Sequence, residues 1–506
     1  MRLFLFAIGG TGSRVLKSLT MLLASGVRPV DENGRPVPDM ELVPIIIDPH
    51  KSNEDLKRTE ALLNAYRELR AAIHGTDTDA EGFFATRVCS LAEVATGGTP
   101  IDDSFVLNMS TVEREKFRDF IGYDTMDEGA QALTSLLFAD YQLENKMNIG
   151  FVGSPNIGSA ALNEVKDSPQ FKAMAGVFRP GDRIFFISSI FGGTGAAGFP
   201  ILVKNIRQAA QLDQLDNRDA LSRAPIGGLT MLPYFNLERS KDDHRIDTAD
   251  FIVKTQSALH YYRGTLTSAN DSNVNAIYYL GDQVHSLPQR YDPGEHGQRN
   301  AAHLVELVGA LAPLHFAGLP VSRLSDPEGA PKPTVAFEYA LEKDVHDIDF
   351  TALGPATRNL IYDPMARMQL MQRYLQDGLK RHMGQGFTQD QPRIKADMLT
   401  SQFYRTLTER FVPAWCDWLD EMHNNSRSVS LINPEAPDMA HIIHNVEARK
   451  GFFGRKTIDD NTFKALMNRE SRNADRYAAK SPEFKLLDLL YRAAGEIVDT
   501  KFENIN

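Results

Sequence analysis

Three stretches of the chain put glycines where an apolar strand pattern gives way to a helical one: "LFLFAIGGTGSRVLKSL", "NIGFVGSPNIGSAALNEV" and "RIFFISSIFGGTGAAGFPILVKNIRQAA". Glycine lets a backbone come close to a ligand, and the first turn of the following helix offers N–H groups with no partner inside the helix. Together with the helix dipole, such a turn attracts phosphate without needing a lysine. The candidate binding residues are Gly9, Gly10, Thr11, Gly12 and Ser13; Gly153, Ser154, Asn156 and Gly158; and Gly192, Gly193, Thr194, Gly195 and Ala196. One such turn reads equally well as a tight connection. Three in one sheet, two of them Gly-Gly-Thr-Gly, favour a phosphate site.

Two better-known phosphate motifs do not fit. A Walker A loop needs glycine directly before Lys-Ser, and Lys17-Ser18 follows Leu16. Gly193-Thr194-Gly195-Ala196-Ala197-Gly198 matches the dinucleotide fingerprint, but the next strand, "IGGLTML", ends without the acid that would hold a ribose. At the N-terminal turn Asp48 supplies such an acid, but the third glycine position is Val15. A nicotinamide-dependent enzyme is therefore disfavoured.

The turns must be held by a sheet. Strand patterns fall at Leu3–Ile8, Leu42–Asp48, Met147–Val152, Arg183–Ser189, Ile226–Leu232 and Asn275–Leu280. Most are continuous apolar runs, as expected for strands covered on both faces. Helical patterns lie between them, at Arg14–Ser25, Ser159–Glu164, Ala196–Gln211 and Thr248–Tyr262. The alternation predicts an α/β domain with a mostly parallel sheet and right-handed crossovers over residues 1–320, carrying an insertion at about 75–145. "LPVSRLSDPEGAPKPT" reads as a connector to a mainly helical region, 321–506, with helices at Pro364–His382, Ile394–Asn424 and from Thr462 on.

Composition bounds the function. Among 506 residues there are 55 basic and 66 acidic, a net charge of -11, which disfavours a general nucleic-acid binder. Cys89 and Cys416 are the two cysteines, which excludes a disulfide framework and fits a reducing, cytoplasmic setting. The N-terminal apolar run is too short for a signal peptide and leads straight into the first glycine turn. The longest apolar stretch, Leu304 to Val321, is broken by Glu306, Pro313 and His315, so membrane insertion is not expected.

In order and strand context, the loops resemble those of the tubulin/FtsZ superfamily over Met1 to about Pro320, most of all its divergent bacterial members. Gly192–Ala196 looks like the family's signature loop, Gly9–Ser13 like its first nucleotide loop and Gly153–Gly158 like its third. Asp48 in "IIIDPHKSN" stands at the acid-bearing second loop, and Glu238 in "LPYFNLER" at the ribose contact. "QRNAAHLVELVGALAPLHFAG" resembles the central helix, about 300–317, with Asn300 at its base-contacting start; Asp282 in "YYLGDQ" is the other base-side candidate. The resemblance implies GTP or GDP with Mg²⁺, and head-to-tail association into an oligomer or filament, since a heterologous contact that does not close extends indefinitely. It also implies hydrolysis completed across that contact by Asp347 and Asp349 in "DVHDIDFTALG", although the family's second acid falls at Ala352 here. The other reading of those two acids is an ordinary solvated loop. The alternative function is a nucleotide-sensing scaffold that neither polymerises nor hydrolyses and docks protein partners through its C-terminal helices.

Other tempting residues read as structural. His441 and His444 lack a third ligand at any recognisable spacing. Trp415 and Trp418 fall on a helix core stripe. "HNVEARKGFFGRK", the most basic patch, reads as a solvated loop.

Overall fold

A computed structural model describes the chain apart from residues 51–52, 96–99, 110–111, 113–115, 152–153, 236–247, 269–270, 283–298, 340–344, 452–453, 456–457, 504 and 506. Seven strands form one sheet: β1 (Arg2–Ile8), β2 (Glu41–Ile47), β3 (Arg87–Val88), β4 (Arg183–Ser189), β5 (Ile226–Met231), β6 (Ala276–Leu280) and β7 (Val335–Tyr339). Their order is β3-β2-β1-β4-β5-β6-β7, and every pairing is parallel. The α/β expectation is met. The central strands are buried along nearly their whole length because both faces carry helices, which is why they read as unbroken apolar runs.

The helices bearing on the site are α1 (Gly9–Ser25), α2 (Glu54–His74), α3 (Pro155–Asn163), α4 (Gly193–Arg207), α5 (Thr248–Thr265), α6 (Leu304–Gly309) and α7 (Leu311–Gly318). Successive strand residues point to opposite faces, and β5 shows which helices lie where. A Cβ on Gly228 would meet Phe199 of α4, whereas one on Gly227 would meet Phe316 of α7. The α4 face also carries α5, whose Tyr262 hydroxyl donates to the Ala196 carbonyl at 3.0 Å.

The other face carries α1 and α2 and, outside them, the C-terminal helices α8 (Pro355–His382), α9 (Val412–His423), α10 (Asp460–Glu470) and α11 (Pro482–Lys501). Trp418 of α9 donates from Nε1 to Ser18 of α1 at 3.1 Å, and Phe411 meets Phe84 edge-on at 4.9 Å. Arg367 of α8 lies over the Tyr491 ring of α11 at 4.5 Å, and Phe484 of α11 reaches His74 of α2. Every residue of α1 except Gly10 is therefore buried, charged ones included.

Four sequence expectations are corrected. Met147–Val152 is not a strand in its described part: Met147–Ile149 form a 3₁₀ turn, and Gly150 breaks the run with φ 82°. The sheet does not end by residue 320, since β7 lies beyond the Pro-rich connector and pairs with β6. The segment expected as an insertion supplies edge strand β3. Ile394–Asn424 is not one helix; a 3₁₀ turn, a short α-turn and a π-turn, Thr406–Phe411, precede α9. No described helix is long and apolar enough to cross a membrane.

Candidate functional site

From β1 the sheet grows one way through β2 to β3 and the other way through β4 to β7. The reversal falls between β1 and β4, and open α/β sheets bind ligands at the carboxyl ends of the strands flanking such a switch. Two of the predicted glycine turns meet there. Ile8 ends β1 and α1 starts at Gly9; Ser189 ends β4 and, after three intervening residues, α4 starts at Gly193. A Cβ on Gly9 would lie 3.6 Å from the Thr194 Cβ and 3.9 Å from the Gly195 nitrogen, so the turns touch. The third turn joins them through α3, because a Cβ on Gly158 would press on Ala197 and on the Gly193 carbonyl at 2.9 Å.

The three helix starts share one property. The residues preceding them, Ile8, Ser154 and Gly192, make no side-chain cap, and no first turn carries an acid. Several other helices are capped, by Asn53, Ser90, Asp127, Ser168, Ser401, Asp459 and Ser481, although α7 and the C-terminal helix Pro355–His382 also start without a side-chain cap or a first-turn acid. Three N–H-bearing ends thus converge without a carboxylate or side-chain cap of their own, an arrangement that favours an anion.

The glycines divide by role. Gly12, Gly158 and Gly195 serve packing: a Cβ on Gly12 would stand 2.6 Å from the Ala7 carbonyl carbon, and one on Gly195 would stand 2.7 Å from the Ser189 oxygen. Gly9 makes the turn itself, at φ 71°. Gly10 and Gly192 meet only side chains, Asn53 Nδ2 at 3.3 Å and Ser189 Oγ at 2.9 Å. Thr194 is half-buried, Gly193 and Ala196 are buried, and Thr11 and Ser13 are buried in α1. Ser13 Oγ donates to the Gly9 carbonyl at 3.3 Å. Ser154 is buried and accepts from Gln142 Nε2, while Asn156 is exposed on the first turn of α3. Gly153 and Glu238 lie outside the described residues.

Asp48 closes the rim beside Gly10. Its carboxylate accepts from the His50 N–H at 3.0 Å and from Asn53 Nδ2 at 3.2 Å. Burial pushes its pKa up to about 7, against the pull of those two bonds. The two base-side candidates turn inward. Asn300 donates to Asp55 from its N–H (3.0 Å) and its side chain (2.8 Å), and Asp282 pairs with Arg427 at 2.8 Å, both side chains under 10% exposed. Asp347 and Asp349 sit against the C-terminal region, where Ile348 bridges to Val429. Asp347 is exposed, at φ 55°. Asp349 is a cap: it accepts from the N–H groups of Thr351 and Ala352, the Thr351 hydroxyl and Asn445 Nδ2. Burial opposes its charge, but these donors hold its carboxyl below the usual range. Asp349 therefore serves as the cap of the 3₁₀ turn Phe350–Ala352.

The sequence reading missed a buried charge cluster behind the first turn. Arg14 binds Asp55 (2.9 Å), Glu306 (2.6 Å) and the Tyr234 hydroxyl (2.8 Å), all enclosed. Burial opposes the Arg14 charge, yet Tyr234, Glu306 and Asp55 raise its pKa well above the ordinary value. One turn on, Lys17 meets Glu421 of α9 at 3.1 Å, and Arg58 of α2 pairs with the same carboxylate. The available signal was two cations, Arg14 and Lys17, in a helix whose other residues demand burial.

No protein-family model matches the chain, and no curated protein matches it. Among solved structures, a chain of the "Helical model of TubZ-Bt two-stranded filament" is similar over 56% of this chain, with 13% identity and a TM-score of 0.19. The match spans 46% of that chain, under half its length, and a TM-score this low does not establish a shared fold.

Proposed function

We propose that this chain binds a nucleotide by its phosphates at the switch between β1 and β4, the ligand implied by the loop resemblance being GTP or GDP with Mg²⁺. One observation carries the reading: adjacent parallel strands each end in a glycine turn opening an uncapped, acid-free helix, and the two turns touch. Backbone N–H groups of Gly10–Gly12 and of Thr194 and Gly195 are the donors such a ligand would use, whereas the Ala196 N–H already donates to the Gly192 carbonyl at 3.3 Å. A magnesium ion neutralises phosphate charge; on the protein side Asp48 is the buried carboxyl at the rim, which burial keeps protonated up to about pH 7 and which would have to give up its proton to face a cation.

The same resemblance suggests head-to-tail self-association with hydrolysis completed by a neighbouring copy. In that scheme Asp347 is the exposed acid left to orient water, because Asp349 is committed to its cap. That commitment favours the second reading, a nucleotide-sensing scaffold without turnover. Phosphate release from GTP and ATP, measured with Mg²⁺ over a wide range of protein concentration, separates them. Self-associating hydrolysis requires GTP-selective specific activity that climbs with concentration and is lost in Asp347→Asn. Tight binding with no release leaves the scaffold. No binding of either nucleotide refutes the site.

A further inference from the structure

The helix that begins at the first glycine turn is gripped two turns later by the C-terminal layer. Glu421 of α9 takes Lys17 of α1 at 3.1 Å, Arg58 of α2, and the Ala302 N–H at 3.2 Å. Arg299 stands 3.7 Å from the same carboxylate, and Asn425 Nδ2 returns a bond to the Ala302 carbonyl at 3.0 Å. One side chain thus ties together the cradle helix, the helix bearing Asp55, and the segment bearing Asn300. Those three elements are also joined on the cradle side, where Asp55 binds both Arg14 and Asn300 while Arg14 reaches Thr11 at 3.4 Å. Burial lowers the Lys17 pKa, so its charge depends on Glu421 in this dry setting.

We infer that α9 is a ligand-responsive clamp, its docking through Glu421 and the filling of the phosphate cradle being linked equilibria. The inference rests on the cradle being a nucleotide site. An anion held at the first turn of α1 fixes that turn against Arg14 and Asp55, which stand on the same two helices that Glu421 holds through Lys17 and Arg58. Each event therefore lowers the entropy left for the other to remove. Coupling of this kind is typically worth roughly 5- to 150-fold in affinity, and it is reciprocal.

The sign gives the test its edge. Glu421→Gln removes a negative charge near the cradle, so charge alone would tighten anion binding. Loss of the clamp would weaken it. The expected result is a GTP Kd raised about tenfold in Glu421→Gln, with nucleotide slowing amide exchange in residues 412–423 of the wild-type chain by a factor of similar size. Trp418→Phe, which keeps one aromatic ring but removes the bond to Ser18 and part of the packing on α1, is expected to shift Kd the same way by less, and it carries the test if Glu421→Gln does not fold. A wild-type chain that binds GTP with unchanged exchange in 412–423, or a variant Kd unchanged or lowered, overturns the clamp and leaves the nucleotide site standing. A wild-type chain that binds no nucleotide overturns both.

Discussion

Replacing Thr194 by aspartate separates ligand binding from folding, because the two effects have opposite signs. Thr194 is the second residue of α4, which has neither a side-chain cap nor an acid in its first turn. A carboxylate there complements the helix dipole and adds about 0.3–1 kcal/mol to stability. To a phosphate in the cradle the same carboxylate is a like charge. At a separation of about 5 Å, with an effective dielectric of roughly 20–40, the repulsion is about 2–3 kcal/mol. That corresponds to a loss of roughly 30- to 150-fold in affinity. The assay is fluorescence anisotropy with a labelled GTP, beside calorimetric unfolding of the same sample. The expected outcome is weaker binding at an unchanged or raised Tm. Unchanged affinity in a protein of unchanged or raised Tm would refute the argument that these N–H groups hold the phosphates.

Two further outcomes follow from packing and burial. Gly12→Ala puts a methyl 2.6 Å from the Ala7 backbone, and Gly195→Ala puts one 2.7 Å from that of Ser189. Each is expected to lower stability by about 1–3 kcal/mol in urea titrations, ligand or no ligand. Asp48 has a folded pKa of about 7, raised above its unfolded value near 4 by burial, so its native carboxyl holds a proton that the unfolded one has lost between those limits. The contribution of Asp48 is fully present below about pH 4 and is lost as pH rises through about 7. Asp48→Asn removes this dependence, so the stability of the variant relative to the wild type should rise between pH 5 and pH 8. A constant difference across that range would contradict a buried, protonated Asp48.

Much of the scaffold is legible along the chain because its evidence is local. Five of the six predicted strands stand within a residue or two of their expected limits, because short β-branched and aromatic runs bounded by turn residues favour a strand covered on both faces. The turns at Gly9 and Gly193 are legible for the same reason. Met147–Val152 misled because an apolar stretch containing Asn148 and Gly150 satisfies composition without satisfying backbone geometry. β7 was hidden by its brevity and by the prolines before it, which read as linker; only its place beside β6 makes it a strand. The charge cluster was out of reach. Arg14 meets partners 41 and 292 residues away, and Lys17 meets one 404 away, so no window along the chain holds a pair. Asn300 and Asp282 were assigned by resemblance, and the internal partner that each has, Asp55 and Arg427, lies too far along the chain to be read from it.

The burial of α1 between sheet and C-terminal helices has a consequence for synthesis. Residues 9–25 leave the ribosome long before the surface that covers their outer side, Trp418 and Glu421 included, which is made some 400 residues later. At a usual rate of roughly 5–20 residues per second the interval is tens of seconds. For that time a helix meant for the interior stands with one apolar side and two cations uncovered, while the sheet is completed strand by strand as far as β7. A chain cut before α9 would keep that surface exposed permanently, which makes the late helices the step that renders the early ones safe from aggregation.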